Sequence, residues 1–99
     1  MAELSGKQRR HLRALGHHLS PVLQIGHEGL TEAVVAQAKT QLDAHELIKV
    51  RVSEASSLPR HEAASQLASA THSDLAQVLG RTFLLYKPHA KDPAIVLPK

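Results

Sequence analysis

Cysteine and tryptophan are absent from the 99 residues, and Phe83 and Tyr86 are the only aromatic side chains. Without thiols there is no disulfide, no thiolate zinc site and no cysteine nucleophile, a composition that fits a reducing compartment. With two rings in the whole chain, the core has to be built from Leu, Val, Ile and Ala. Both rings also fall in one short apolar segment at opposite parity, so a sheet that reads bases by aromatic stacking is not expected. Long apolar runs are missing too. No stretch approaches the roughly 20 residues that span a bilayer, and the N-terminus lacks the apolar run of a secretory signal. Its basic amphipathic start is superficially like a mitochondrial presequence but reads as an integral helix, so a cytoplasmic protein without membrane contact is expected. With 42% hydrophobic and 21% charged residues, the chain has the composition of one globular domain, residues 1–99, around a single core.

The net charge of +3 is modest, but its distribution is uneven. Lys7, Arg9, Arg10 and Arg13 face only Glu3 in the first twenty residues, and Arg81, Lys87, Lys91 and Lys99 face only Asp92 after residue 80. The stretch between them is net acidic. Basic ends of this kind suit contact with a polyanion, although solubility alone also favours them.

Ser5 is placed to cap a helix from about Gly6 to His18. On a helical wheel Leu12, Leu15 and Leu19 form a thin apolar stripe, while Lys7, Arg10, Arg13 and His17 lie opposite with Arg9 flanking them. A solvated face and a binding face both account for that basic side. Pro21 is expected to end the helix, and Val22 to Ile25 reads as a short buried strand. Gly26-His27-Glu28-Gly29 forms a turn, and Thr31 caps a second helix to about Ala44 with Val34, Val35, Ala38 and Leu42 inward. In Leu47 to Val52, Ile48, Val50 and Val52 alternate with Lys49 and Arg51, giving a strand with one buried and one charged face. Ser56-Ser57-Leu58-Pro59 reads as a hydroxyl cap with proline in the first turn of a third helix to about Ala70, lined by Ala63, Leu67 and Ala70. Thr71-His72-Ser73-Asp74 breaks it. Leu75 to Leu79 and Thr82 to Tyr86 read as two strands joined at Gly80-Arg81. Residues 87–99 form an extended basic, proline-containing tail in which Ile95-Val96-Leu97 offers a brief pairing at a sheet edge. The resulting α-β-α-β-α-β-β order implies an α/β domain with parallel strand pairs, right-handed crossovers and a final antiparallel hairpin.

Chemistry is mostly excluded. No two of the eight histidines stand four apart, the spacing that lets one helix chelate a metal. His11 and His18 share a face about two turns, or ~10 Å, apart. No nucleophile elbow or phosphate-binding loop with lysine is present. A non-catalytic protein with neither cofactor nor metal is expected. The Gly26-to-Gly29 turn is the exception that points to a ligand, because it joins a strand to a helix N-terminus where unpaired N–H groups attract anions. KH domains clamp nucleotides with a loop of this pattern, though a tight strand-to-helix turn explains two glycines equally well.

Three separated motifs then carry a family resemblance: Gly26 to Gly29 followed by Leu30-Thr31-Glu32, His45-Glu46-Leu47-Ile48-Lys49-Val50, and Gln77 to Tyr86. Together with the opening Leu4 to Leu12 they resemble the CRM domain (chloroplast RNA splicing and ribosome maturation) in its bacterial stand-alone form, over nearly the whole chain. The resemblance implies a four-stranded mixed sheet with helices packed on it, similar to the C-terminal domain of translation initiation factor 3. It also implies RNA binding and association with precursors of the large ribosomal subunit. Carried onto this chain, the glycine loop is Gly26, His27, Glu28 and Gly29, and the basic surface includes Lys7, Arg9, Arg10 and Arg13. Glu28 departs from what a phosphate would favour: either it points away from RNA or the loop binds weakly.

The expectation is a monomeric RNA-binding module for structured, large-subunit ribosomal RNA. Lys7, Arg10 and Arg13 would neutralise phosphates, and N–H groups at Gly29 and its neighbours would receive one more. Lys49 and Arg51 extend the patch if no helix covers their strand face, and Arg81 and Lys87 are weaker members. The competing reading is a ribosome-associated protein–protein adaptor, which a ring-poor surface disfavours.

Overall fold

A computed structural model describes residues 4–98. Its elements are α1 (Gly6–Gly16), β1 (Leu23–Ile25), α2 (Glu32–His45), β2 (Leu47–Val52), α3 (Arg60–Thr71), β3 (Asp74–Leu79) and β4 (Thr82–Tyr86), in the expected order. They build a single domain in which a four-stranded mixed sheet runs β1-β2-β4-β3. Only β1 and β2 are parallel neighbours; β4 inserts between β2 and β3 and is antiparallel to both. The expected succession of parallel pairs is therefore corrected to one. Once the hairpin from β3 returns along β2, it takes the place a parallel neighbour would occupy.

The two sheet faces carry separate cores. Ile25, Ile48, Val50, Phe83 and Leu85 pack on one face against Ala38 and Leu42 of α2 and Ala63, Ala64 and Leu67 of α3. Leu47, Ala76, Leu84 and Tyr86 pack on the other with Leu12 of α1. Strict alternation along β2 and β4 produces this division, and it sends Phe83 and Tyr86 to opposite faces.

Helix ends follow local chemistry. Ser5 and Gln8 form a capping box, each side chain accepting from the other residue's backbone N–H at 3.1 and 3.0 Å. Thr31 Oγ1 accepts from the Val34 N–H at 3.1 Å. For α3 the hydroxyl cap is not formed. Pro59 is itself the N-cap, because Ser56 Oγ instead accepts from the Leu58 N–H at 3.1 Å in a local turn. The inner face of α3 is Ala63, Ala64, Leu67, Ala68 and Thr71, whereas Ala70 is exposed. Thr71 belongs to the helix, and His72 ends it in the left-handed conformation, φ 54°.

α1 stops at Gly16, well before Pro21, with the His17 N–H donating to the Arg13 carbonyl at 3.0 Å. Its buried line runs from Leu12 to Gly16 rather than along the leucine stripe; Leu15 and Leu19 are 39% and 37% exposed. The reason is a close seat on β4. A Cβ at Gly16 would overlap both methyls of Leu84 and approach its Cγ to 3.1 Å. Gly16→Val is therefore expected to cost about 1–3 kcal/mol through overpacking, read as a lower Tm. An unchanged Tm would mean that α1 does not depend on this seat.

The tail is docked rather than free. Glu46, fully buried and held at φ 61° where α2 turns into β2, accepts from the N–H groups of His89, Ala94 and Ile95 at 2.6, 2.8 and 2.8 Å. Its own carbonyl accepts from the Lys87 N–H at 2.8 Å. Burial alone would raise the Glu46 pKa. The three backbone donors and nearby His89 together outweigh it and hold the carboxyl below its usual range. Ile95 and Leu97 consequently pack over Leu12, Leu47 and Tyr86 instead of pairing at a sheet edge. Gln8 Nε2 donates to the Pro98 carbonyl at 3.1 Å, tying the tail to α1.

Candidate nucleic-acid interface

α1 and the tail cover only part of their sheet face. Pairing register aligns its side chains in rows across the strands: Gln24, Arg51, Thr82 and Leu79 in one, Lys49, Leu84 and Gln77 in the next. In the first row Gln24, Arg51 and Leu79 are exposed and Thr82 is half-buried. This end of the sheet is open, which answers for Arg51 the question the sequence left. Lys49 is half-buried beside α1. Arg10 and Arg13 of α1, with His17 at its C-cap, stand along the open end. With Lys49, Gln77 and Leu84 they line a groove of about 420 Å³.

A β-bulge puts Gln77 in the groove. The pairing of β3 with β4 shifts between Leu75 and Gln77, leaving Ala76 as the extra residue. Before the bulge, Leu75 packs in the α2–α3 core. After it, Val78 does so, and Ala76 and Gln77 both lie on the α1 side. Strict alternation would have paired Gln77 with Leu75, so parity in the sequence does not reveal it. Parity marks Gln24 and Thr82 as outward positions of their strands, and His17 shares the basic side of α1, but none of the three carries a fixed charge that would mark it as a binding residue.

The expected basic residues divide into two groups. Lys7, Arg10, Arg13 and Arg51 are exposed, and neither they nor Lys49 has a side-chain acceptor among the described residues. The other three are engaged elsewhere. The Arg9 guanidinium donates to the Leu75 carbonyl and lies near Asp74, whose pKa is raised by burial and partly restored by that charge. Arg81 pairs with Glu54 at 3.3 Å, an exposed ion pair. Lys87 Nζ donates to the Thr71 carbonyl at 3.2 Å, satisfying the C-terminus of α3. It lies at the opposite end of β4 from Arg81.

The glycine loop needs a correction. The Gly29 N–H donates to the Gly26 carbonyl at 3.0 Å, closing the turn, so it is not available to a phosphate. Gly29 is buried with φ 72°, and a Cβ there would come within 3.0 Å of Ser57 Oγ. This glycine answers to turn geometry and to packing on the segment before α3. Gly26 has open space around it, and His27 and Glu28 are exposed at the tip. The loop sits at the β1 edge, whereas the groove lies by β3 and β4, so Arg51 on β2 stands between them.

Comparison with known proteins agrees with this architecture. A family model for the CRS1/YhbY (CRM) domain matches residues 4–87. An RNA-binding protein of Haemophilus influenzae is 37% identical over 99 residues, spanning 100% of this chain and 99% of its own length. Bacillus subtilis YqeI is 38% identical over 95 residues, 96% of this chain and 99% of its own. The solution structure of SAV1595 from Staphylococcus aureus has a TM-score of 0.82 at 39% identity, covering 96% of this chain and 99% of that one. With the family model spanning every helix and strand and the relatives aligned almost end to end, the chain belongs to the CRS1/YhbY (CRM) domain family.

Proposed function

We propose that this protein is a non-catalytic RNA-binding module that engages structured ribosomal RNA through its phosphate backbone during large-subunit assembly. One observation carries the RNA contact. Arg10 and Arg13 on α1 share a groove with half-buried Lys49, and exposed Arg51 stands in the adjacent row at the open end of the sheet, with Lys7 further along the same helix. The names of its relatives support RNA as the partner. The ribosomal target rests on the family resemblance. In this reading the protein works as a monomer in the cytoplasm.

The test is a binding titration against large-subunit precursor RNA over a range of salt. If four or five phosphates are neutralised, log K falls against log salt with a slope of about −3 to −4.5, because each contact releases condensed counterions. A slope near zero would remove the phosphate mechanism. Association with ribosomal particles that survives high salt would instead point to contact with protein.

A further inference from the structure

We propose that the groove between α1 and the β3–β4 hairpin takes one unpaired RNA nucleotide. This rests on the RNA-binding reading above and adds the conformation of the RNA at the site. The groove's volume of about 420 Å³ falls within the range of roughly 300–1,000 Å³ occupied by small-ligand sites. A base reaches Lys49 and Gln77 inside the groove only from a looped or bulged nucleotide, because in a duplex the bases are stacked and their edges paired.

Its chemistry is mixed in the way a nucleotide is mixed. Arg10 and Arg13 along one wall and Lys49 at the base supply positive charge. A site for phosphate alone would need nothing more. Here the floor is Leu84, and Leu79, 62% exposed, stands at the rim. Leu84 is only 2% exposed, so the apolar surface on offer is that of Leu79, from which a bare phosphate gains nothing and the face of a base does. Gln77 offers a neutral carboxamide, at once donor and acceptor, without a protein partner among the described residues. Such a group pairs with the polar edge of a base. Guanidinium planes and the exposed His17 imidazole that lines the groove can both stack on unpaired bases, and the sheet itself offers no exposed ring. Arg51, in the adjacent row, is placed to hold the neighbouring phosphate outside the groove.

The experiment compares a stem-loop RNA with the same stem closed as a blunt duplex, using wild type and Gln77→Ala at matched salt. Wild type is expected to favour the stem-loop. Gln77→Ala should lower stem-loop affinity about five- to tenfold, the loss of one base-edge contact, while duplex affinity and the salt slope stay unchanged. Because the chain has no cysteine, Leu79→Cys supplies a single thiol. It should attack an alkyl disulfide tether carried on a loop base, forming the mixed disulfide and releasing the small thiol, and should not do so when the same tether is placed in the stem. Equal affinity for both RNAs, a parallel loss of both in Gln77→Ala, or crosslinking confined to the stem would overturn the groove and leave the RNA-binding reading standing. Failure of wild type to bind either RNA at low salt would overturn both.

Discussion

Replacing Glu46 by alanine is expected to lower stability by about 2–4 kcal/mol, since three N–H groups lose a charged acceptor worth on the order of 1 kcal/mol or more each. For a domain of this size that corresponds to a Tm lower by roughly 10–25 °C. Glu46→Gln, which keeps one acceptor oxygen, should fall between the two. Hydrogen exchange at Ala94 and Ile95 gives the local readout, and protection there should vanish before the sheet opens. A Tm and protection pattern equal to wild type would show that the tail is held by its apolar contacts alone. The pH dependence follows from the depressed carboxyl. Its contribution is complete above the ordinary carboxylate value of 4.5 and is lost as pH falls through the lower folded value. Asp74 acts in the opposite sense, because burial raises its pKa despite Arg9, so acid relieves a cost there.

Arg10→Ala with Arg13→Ala is expected to weaken RNA binding about 10- to 50-fold near physiological salt and to flatten the salt slope by about 1.5, as two phosphate contacts are lost. The weakening should be uniform across RNA sequences, since phosphate contacts carry no base information. Arg9→Ala is the informative control. Its guanidinium is bonded to the Leu75 carbonyl, so its removal should lower Tm more than it changes the slope. Titration of both variants across salt checks this. An unchanged slope in the double variant would take α1 out of the interface.

What the sequence made legible is what short-range pattern controls. β2 and β4 have the bounds expected of them, because alternation is unbroken in both and Gly80, at φ 58°, supplies the two-residue hairpin. The caps of α1 and α2 were readable for the same local reason. The Glu46 clasp was not, since its donors lie 43 to 49 residues away and a Glu before a strand looks like surface. Nor was the close seat of Gly16 on Leu84, a contact between the first helix and the last strand. For the candidate site, residue type proposes Arg10, Arg13 and Arg51 together with Arg9, Arg81 and Lys87, and type alone does not separate the free side chains from the engaged ones. That separation comes from carbonyls and a carboxylate brought near by the fold.

The position of β4 has a consequence for the order of synthesis. The last strand to leave the ribosome is an inner one, so β2 and β3 each present a bare edge until residue 86 has emerged. A nascent chain that stops short of it holds only the β1–β2 pair. The basic helix, present from the start, has no Leu84 to rest on until then. The candidate interface thus comes together late, when α1 and β2 are joined by the β3–β4 hairpin, and it is not formed until β4 has been made.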